Sequence, residues 1–266
     1  MKNKIMYKLT NNVEIEIVKE KQLSAIPRVI IYDVEICLTA CNSVKEMDYE
    51  ISVTDGSDKG LLFTEDNDMF RFDTQDHLLT AIYLDYSEVD RWPDDKFELV
   101  TKAKKIVGIP KLIQPLSFDL EPFKYRYCVP SDSILLGYGD ILLNSQEFTE
   151  LQIAENVSLL FNENNLYCAW LIKSPEQFLV NKIAPIEKYP VTPLLKKSFW
   201  DIFQFINQER IELMEKEDMY TFHELRALYK SIINSNEKNH GLEILAEKLF
   251  AFADNFYSQE QMQNFQ

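Results

Sequence analysis

Three histidines, four cysteines and a crowded run of carboxylates are the side chains from which this sequence could build chemistry. His223-Glu224 opens like the H-E-x-x-H metal helix, but Ala227 stands where the second ligand belongs. His240 precedes Gly241 at an expected helix boundary and reads as solvent-exposed. His77 follows Asp73 and Asp76, a spacing that suggests an acid–base pair. Cys37 and Cys41 lie four apart, whereas Cys128 and Cys168 sit alone in apolar runs. No C-x-x-C occurs, so buried free thiols fit better than a zinc site.

Phosphate, nucleophile and metal motifs fail on single residues. Gly137-Tyr138-Gly139 has Leu142 where G-x-G-x-x-G requires glycine, and no Lys-Ser or Lys-Thr follows. There is no G-x-S-x-G elbow. Asp55, Ser57, Lys59 and Gly60 imitate a calcium loop, but Lys59 occupies a ligand position. Asp94-Asp95-Lys96 imitates a metal-nuclease carboxylate set, yet it opens a helix rather than lying on a strand. The sequence therefore assigns no catalytic residue, no metal ligand and no cofactor.

Charge is the feature that rises above background. The chain carries 43 acidic and 28 basic residues, a net −15. Residues 46–95 hold fifteen acids against Lys59, Arg71 and Arg91, so −12 of that total lies in this one segment. Unpaired carboxylates are costly to bury, so nearly all of these acids are expected on loops or on a wet sheet face. Such a field attracts a cationic protein. Asp66, Asp68, Asp73 and Asp76 cluster around Phe70 and Phe72, and Asp66, Asp68, Phe70, Asp73 and Asp76 are the expected partner-binding centre. The expected function is a non-catalytic module that occludes a basic protein, as an inhibitor or immunity protein occludes a nuclease-like toxin. The alternative is a metal-dependent hydrolase using the carboxylates of residues 55–76. Lys102, Lys104 and Lys105 read as a dipole-matched helix end rather than a nucleic-acid patch.

The elements that position these groups follow from periodicity. Val157–Phe161 and Leu166–Ile172 flank the polar turn Asn162–Asn165 and read as a hairpin covered on both faces, at the centre of a sheet. Strands are expected at Ile5–Leu9, Val13–Val18, Arg28–Leu38, Tyr49–Val53, Leu61–Phe63, Met69–Phe72, Leu79–Tyr86, Phe123–Val129 and Leu151–Ala154. A helix is expected over Asp94–Val107, stopped by Gly108 and Pro110. Ser174-Pro175-Glu176-Gln177 reads as a capping box opening a short helix. After Pro185, Pro190 and Pro193, Leu195, Phe199, Ile202, Ile206 and Leu213 form one apolar seam. A second capping box at Thr221 and Glu224 starts the next helix, a third covers about Leu242–Tyr257, and a frayed polar tail follows from Ser258.

Gly137-Tyr138-Gly139-Asp140, the hairpin and Ser174 to Leu179 together resemble the end of SUKH-type bacterial immunity domains. The strand-rich first hundred residues depart from that family, and the chain is not assigned to it.

The expected fold class is α+β: a sheet-rich N-terminal two-thirds (1–186) and a C-terminal region of about three helices (187–266). No apolar run reaches the roughly 20 residues that span a bilayer, and Met1–Leu9 lacks an apolar signal core. No membrane and no nucleic-acid partner are expected, and cytoplasmic residence is.

Overall fold

The computed structural model describes residues 5–30, 35–57, 68–85, 94–114, 117–120, 125–129, 133–137, 141 and 144–265. Two sheets and a set of C-terminal helices make an α+β protein. The larger sheet contains β1 (Tyr7–Thr10), β2 (Val13–Lys19), β8 (Lys104–Leu112), β9 (Tyr125–Val129), β10 (Ser133–Gly137), β11 (Phe148–Ala154), β12 (Val157–Asn162) and β13 (Tyr167–Lys173). Their spatial order is β1-β2-β8-β11-β12-β13-β10-β9. The smaller sheet orders β3 (Pro27–Ile30), β4 (Glu35–Leu38), β7 (Leu79–Asp85), β6 (Met69–Phe72) and β5 (Asp55–Gly56). All named pairings are antiparallel except β8 with β11.

The hairpin β12–β13 lies where its sequence places it. Asn165 takes the left-handed conformation at φ 59°, which Asn tolerates better than most residues. Asn162 Oδ1 accepts the N–H groups of Asn164 and Leu166, both at 3.0 Å. Alternation, shifted by an irregularity in register opposite Leu160 and Phe161, divides the hairpin between two cores. Leu159, Phe161, Trp170 and Ile172 face a cluster that also includes Phe70 and Ile82 of the small sheet and Phe199, Leu225 and Leu249 of the C-terminal helices. Leu160, Cys168 and Leu171 face Leu135, Phe148 and Val100 on the other side.

Several expected elements differ. Residues 44–53 form a helix, α1 (Val44–Val53), not a strand; the Ser43 hydroxyl caps it by accepting from Glu46 N, and Met47 is its buried anchor. The alternation of Tyr49, Ile51 and Val53 suggested a strand, but the cap and the packing against the small sheet decide for helix. The helix at Asp94 stops at Thr101 (α2, Asp94–Thr101), and β8 begins at Lys104. Residues 104–107 pair with β11 and 108–112 with β2, so β8 joins the two halves of the sheet. Gly108 stops no helix. A Cβ there would lie 2.6 Å from Ile17 Cγ2 and 2.7 Å from the Val18 carbonyl oxygen, so the close strand approach requires glycine. Pro110 is tolerated because pairing with β11 has ended by that point. The expected strand Arg28–Leu38 is two strands, β3 and β4, while Leu61–Phe63 lies outside the described residues.

Five helices, rather than about three, follow the connector. They are α3 (Pro193–Phe205), α4 (Gln208–Glu215), α5 (Met219–Ile233), α6 (His240–Phe256) and α7 (Gln259–Gln263). The expected seam runs through Leu195, Phe199, Ile202 and Ile206, all buried, and then breaks: Asn207 caps a new helix and Met214, not Leu213, is the residue buried in it. The cap of α5 is Asp218, whose carboxylate accepts from Thr221 N at 2.7 Å, while Glu224 pairs with Arg210 at 2.6 Å. Ser174 is left-handed at φ 49° and makes no side-chain cap. The tail is docked: Ser258 and Gln261 form a capping box, and Phe265 is buried against Phe222, Tyr229 and Phe250. No helix among the described residues is long and apolar enough to cross a membrane.

Candidate functional site

Of the five expected partner-binding residues, the four described do not share one surface. Asp66 lies outside the described residues. Asp68 is buried, and its Oδ2 accepts the Tyr167 hydroxyl at 2.9 Å, tying the start of β6 to β13. Phe70 is fully buried and meets the Tyr167 ring edge-on at 5.3 Å. Asp73 and Asp76 build the β6–β7 turn. Asp73 Oδ1 accepts from Gln75 N at 2.7 Å and Asp76 N at 2.9 Å, and Asp76 Oδ1 accepts from Leu78 N at 2.9 Å. The Asp76 and Gln75 amides hold the Asp73 carboxyl below the usual carboxylate range. His77 closes that turn at φ 59°. Its N–H donates to the Asp73 carbonyl and its own carbonyl accepts from Leu112 N, both at 3.0 Å. The acid at Asp68 is thus a buried exception to the expected wet placement. Among the described residues, no group of three or more His, Cys, Asp or Glu side chains could hold a metal ion.

The outward side of α1 is an exposed part of the acidic segment that the sequence reading missed. Tyr49 is 68% exposed, and Val44 and Val53 are also exposed. Lys45, Glu46 and Asp48 surround them in solvent. On its inner side, Glu50 accepts from the Thr39 hydroxyl at 2.9 Å and the Tyr83 hydroxyl at 2.6 Å. The guanidinium of Arg71, buried beneath the end of α1, donates to Thr54 Oγ1 at 2.9 Å and to the Ile51 carbonyl at 2.7 Å. Arg71 thus holds the end of α1 in place and is not displayed on the surface. An exposed tyrosine is a residue type enriched at protein interfaces and among their hot spots.

A second feature is a cleft of about 440 Å³ between the β1–β2 turn, residues 117–120 and the start of β13. The large sheet curls there: Lys8 N donates to the Asn165 carbonyl at 2.9 Å, bringing the edge strand β1 against the β12–β13 turn. Leu9, Val13, Phe118, Leu120 and Tyr167, all buried, form the floor. Thr10, Asn11, Asn12, Ser117 and Asp119 supply the polar rim. The β1–β2 turn and the start of β13 were legible beforehand, but not their meeting with residues 117–120, since those segments lie far apart in the chain.

A third cluster lies on the outer face of the large sheet. The buried Glu150 accepts from Ser158 Oγ and Lys173 Nζ, both at 3.0 Å, with Lys105 Nζ at 3.6 Å. Burial pushes its carboxyl up, but Lys173, Ser158 and Lys105 outweigh that and hold it below the usual range. The lysines expected at a helix end thus serve a sheet: Lys104 and Lys105 start β8.

In comparisons with known proteins, this chain matches neither a family model nor a curated protein.

Proposed function

We propose that this chain is a non-catalytic protein-binding module whose acidic segment occludes a basic protein partner, in the manner of an inhibitor or immunity protein. The observation that carries the reading is the outward side of α1, where Tyr49 stands 68% exposed beside Glu46 and Asp48. From Glu46 onward this helix belongs to the segment 46–95 that holds −12 of the net −15 charge, with Lys45 just before it. Arg71, one of three cations in that segment, is buried in internal hydrogen bonds. A cationic surface is the electrostatic complement, and the tyrosine supplies a rigid amphipathic anchor that carboxylates alone lack. The carboxylates of Asp68, Asp73 and Asp76 serve separate local contacts, which favours this reading over a convergent metal site. The test is affinity capture from the source organism with the wild type, Tyr49→Ala and Asp48→Asn. A basic protein retained by the wild type and lost by both variants supports the reading; equal retention by all three removes α1 from it.

A further inference from the structure

A surface helix ordinarily buries an apolar stripe along its length, and α1 does not. Only Met47 is buried in it, packed with Cys37, Cys41, Ala81 and Tyr83, and Ile51 is half-buried beside that cluster. Polar contacts hold the helix instead: the Ser43 cap, Glu50 with the Thr39 and Tyr83 hydroxyls, and Arg71 beneath the last turn. Three further apolar side chains are displayed, with Val44 46%, Tyr49 68% and Val53 45% exposed. Building on the reading of α1 as the binding face, we propose that this helix is a ridge that enters a groove on the basic protein. The groove is apolar along its floor and walls and cationic along both rims.

The spacing sets this mode of contact. At about 100° per residue, Met47, Glu50 and Ile51 fall on the inward side, and Lys45, Tyr49 and Ser52 form the crest. Val44 and Val53 therefore lie about 180° apart around the axis, one on each flank. A flat surface resting on Tyr49 cannot touch both valines, whereas a groove closing over the crest touches both. Each flank also carries a carboxylate: Asp48 follows Val44 by one turn, and Glu46 precedes Val53 by two. The Asn42 N–H, 2.7 Å from Glu46 Oε2, fixes that carboxylate in place. Apolar anchors on a helix, with an acid on either side, complement an apolar groove with basic rims. Cap and tethers order α1 before contact, so binding loses little entropy.

The probe is the basic protein that the wild type retains in the capture above, purified and titrated calorimetrically into full-chain variants. Val44→Ala and Val53→Ala should each weaken binding by about fivefold. Both should keep the wild-type melting temperature, because the two side chains are exposed. Ile113→Ala removes an equally exposed apolar side chain outside α1 and should leave the affinity unchanged. Loss in Tyr49→Ala with wild-type affinity in either valine variant overturns the groove and leaves the acidic face as the contact. An equal loss in Ile113→Ala also overturns the groove. Wild-type affinity in all three α1 variants, or a capture that retains no basic protein, overturns the groove and the binding face together.

Discussion

Replacing Lys173 with Met should destabilise the protein more than replacing Glu150 with Gln, although both break the same ion pair. The difference lies in the charge left behind. In Lys173→Met the survivor is the Glu150 carboxylate, whose side chain is only 5% exposed and retains Ser158 at 3.0 Å and Lys105 at 3.6 Å. Removing one partner of a buried pair costs about 3–5 kcal/mol, and the remaining lysine places this case near about 3 kcal/mol. In Glu150→Gln the survivors are Lys173 and Lys105, 39% and 64% exposed, which water can solvate. The amide oxygen still accepts from Ser158, so the loss should be about 1 kcal/mol. Urea denaturation at neutral pH reads both values. The pH dependence adds a second readout. The folded Glu150 carboxyl is held below its unfolded value of about 4.3. Its stabilisation is present above that value and is lost as pH falls through the folded one. Without Lys173, burial dominates and raises the folded value, which disfavours the variant at neutral pH and not in acid. The gap between wild type and Lys173→Met should therefore narrow below about pH 4. Equal losses for the two variants, or a gap constant from neutral to acid pH, would refute the reasoning.

Other substitutions probe the frame around the surfaces. Phe265→Ala should cost about 3–5 kcal/mol by urea denaturation, because the ring is fully buried against Phe222, Tyr229 and Phe250; a neutral effect would return the tail to the frayed state its composition suggests. Phe199→Ala and Ile202→Ala should each cost about 2–5 kcal/mol as buried large-to-small changes, and an unchanged melting temperature in either would remove α3 from the core. Asp73→Ala should lower the melting temperature at neutral pH by freeing the Gln75 and Asp76 amides. Since the folded Asp73 carboxyl is held below its unfolded value of about 3.9, the difference from wild type should shrink as pH falls through the folded one, as melting curves across that range will show.

Local signals were legible where chain neighbours decide the structure. The Asn-rich turn and its apolar flanks gave β12–β13, and Thr192-Pro193 gave the start of α3, with the Thr192 hydroxyl accepting from Leu195 N at 3.2 Å. The reading failed where distant segments decide. Val107 keeps helical spacing with Phe97, Val100 and Ala103, yet β2 and β11 compete for residues 104–112 and win them as a strand. Strand-like Tyr49 and Val53 became helical under a serine cap and the anchoring of Met47. Asp68 was taken for a surface charge because its partner, Tyr167, lies 99 residues away. The concentration of charge was visible in the sequence, but the exposed helix face around Tyr49 was not, since Tyr49–Val53 reads as a strand.

Binding at α1 is tested most directly by purifying the captured basic protein and measuring its dissociation constant for wild type and Tyr49→Ala across a salt series. Tyr49 is exposed, so its removal should leave the melting temperature unchanged. As a central anchor it should weaken binding about 30-fold, the effect of losing about 2 kcal/mol at a hot spot. Affinity should also fall with salt, and less steeply after Asp48→Asn. A wild-type dissociation constant in Tyr49→Ala, together with binding indifferent to salt, would contradict the assignment of this face to a cationic protein.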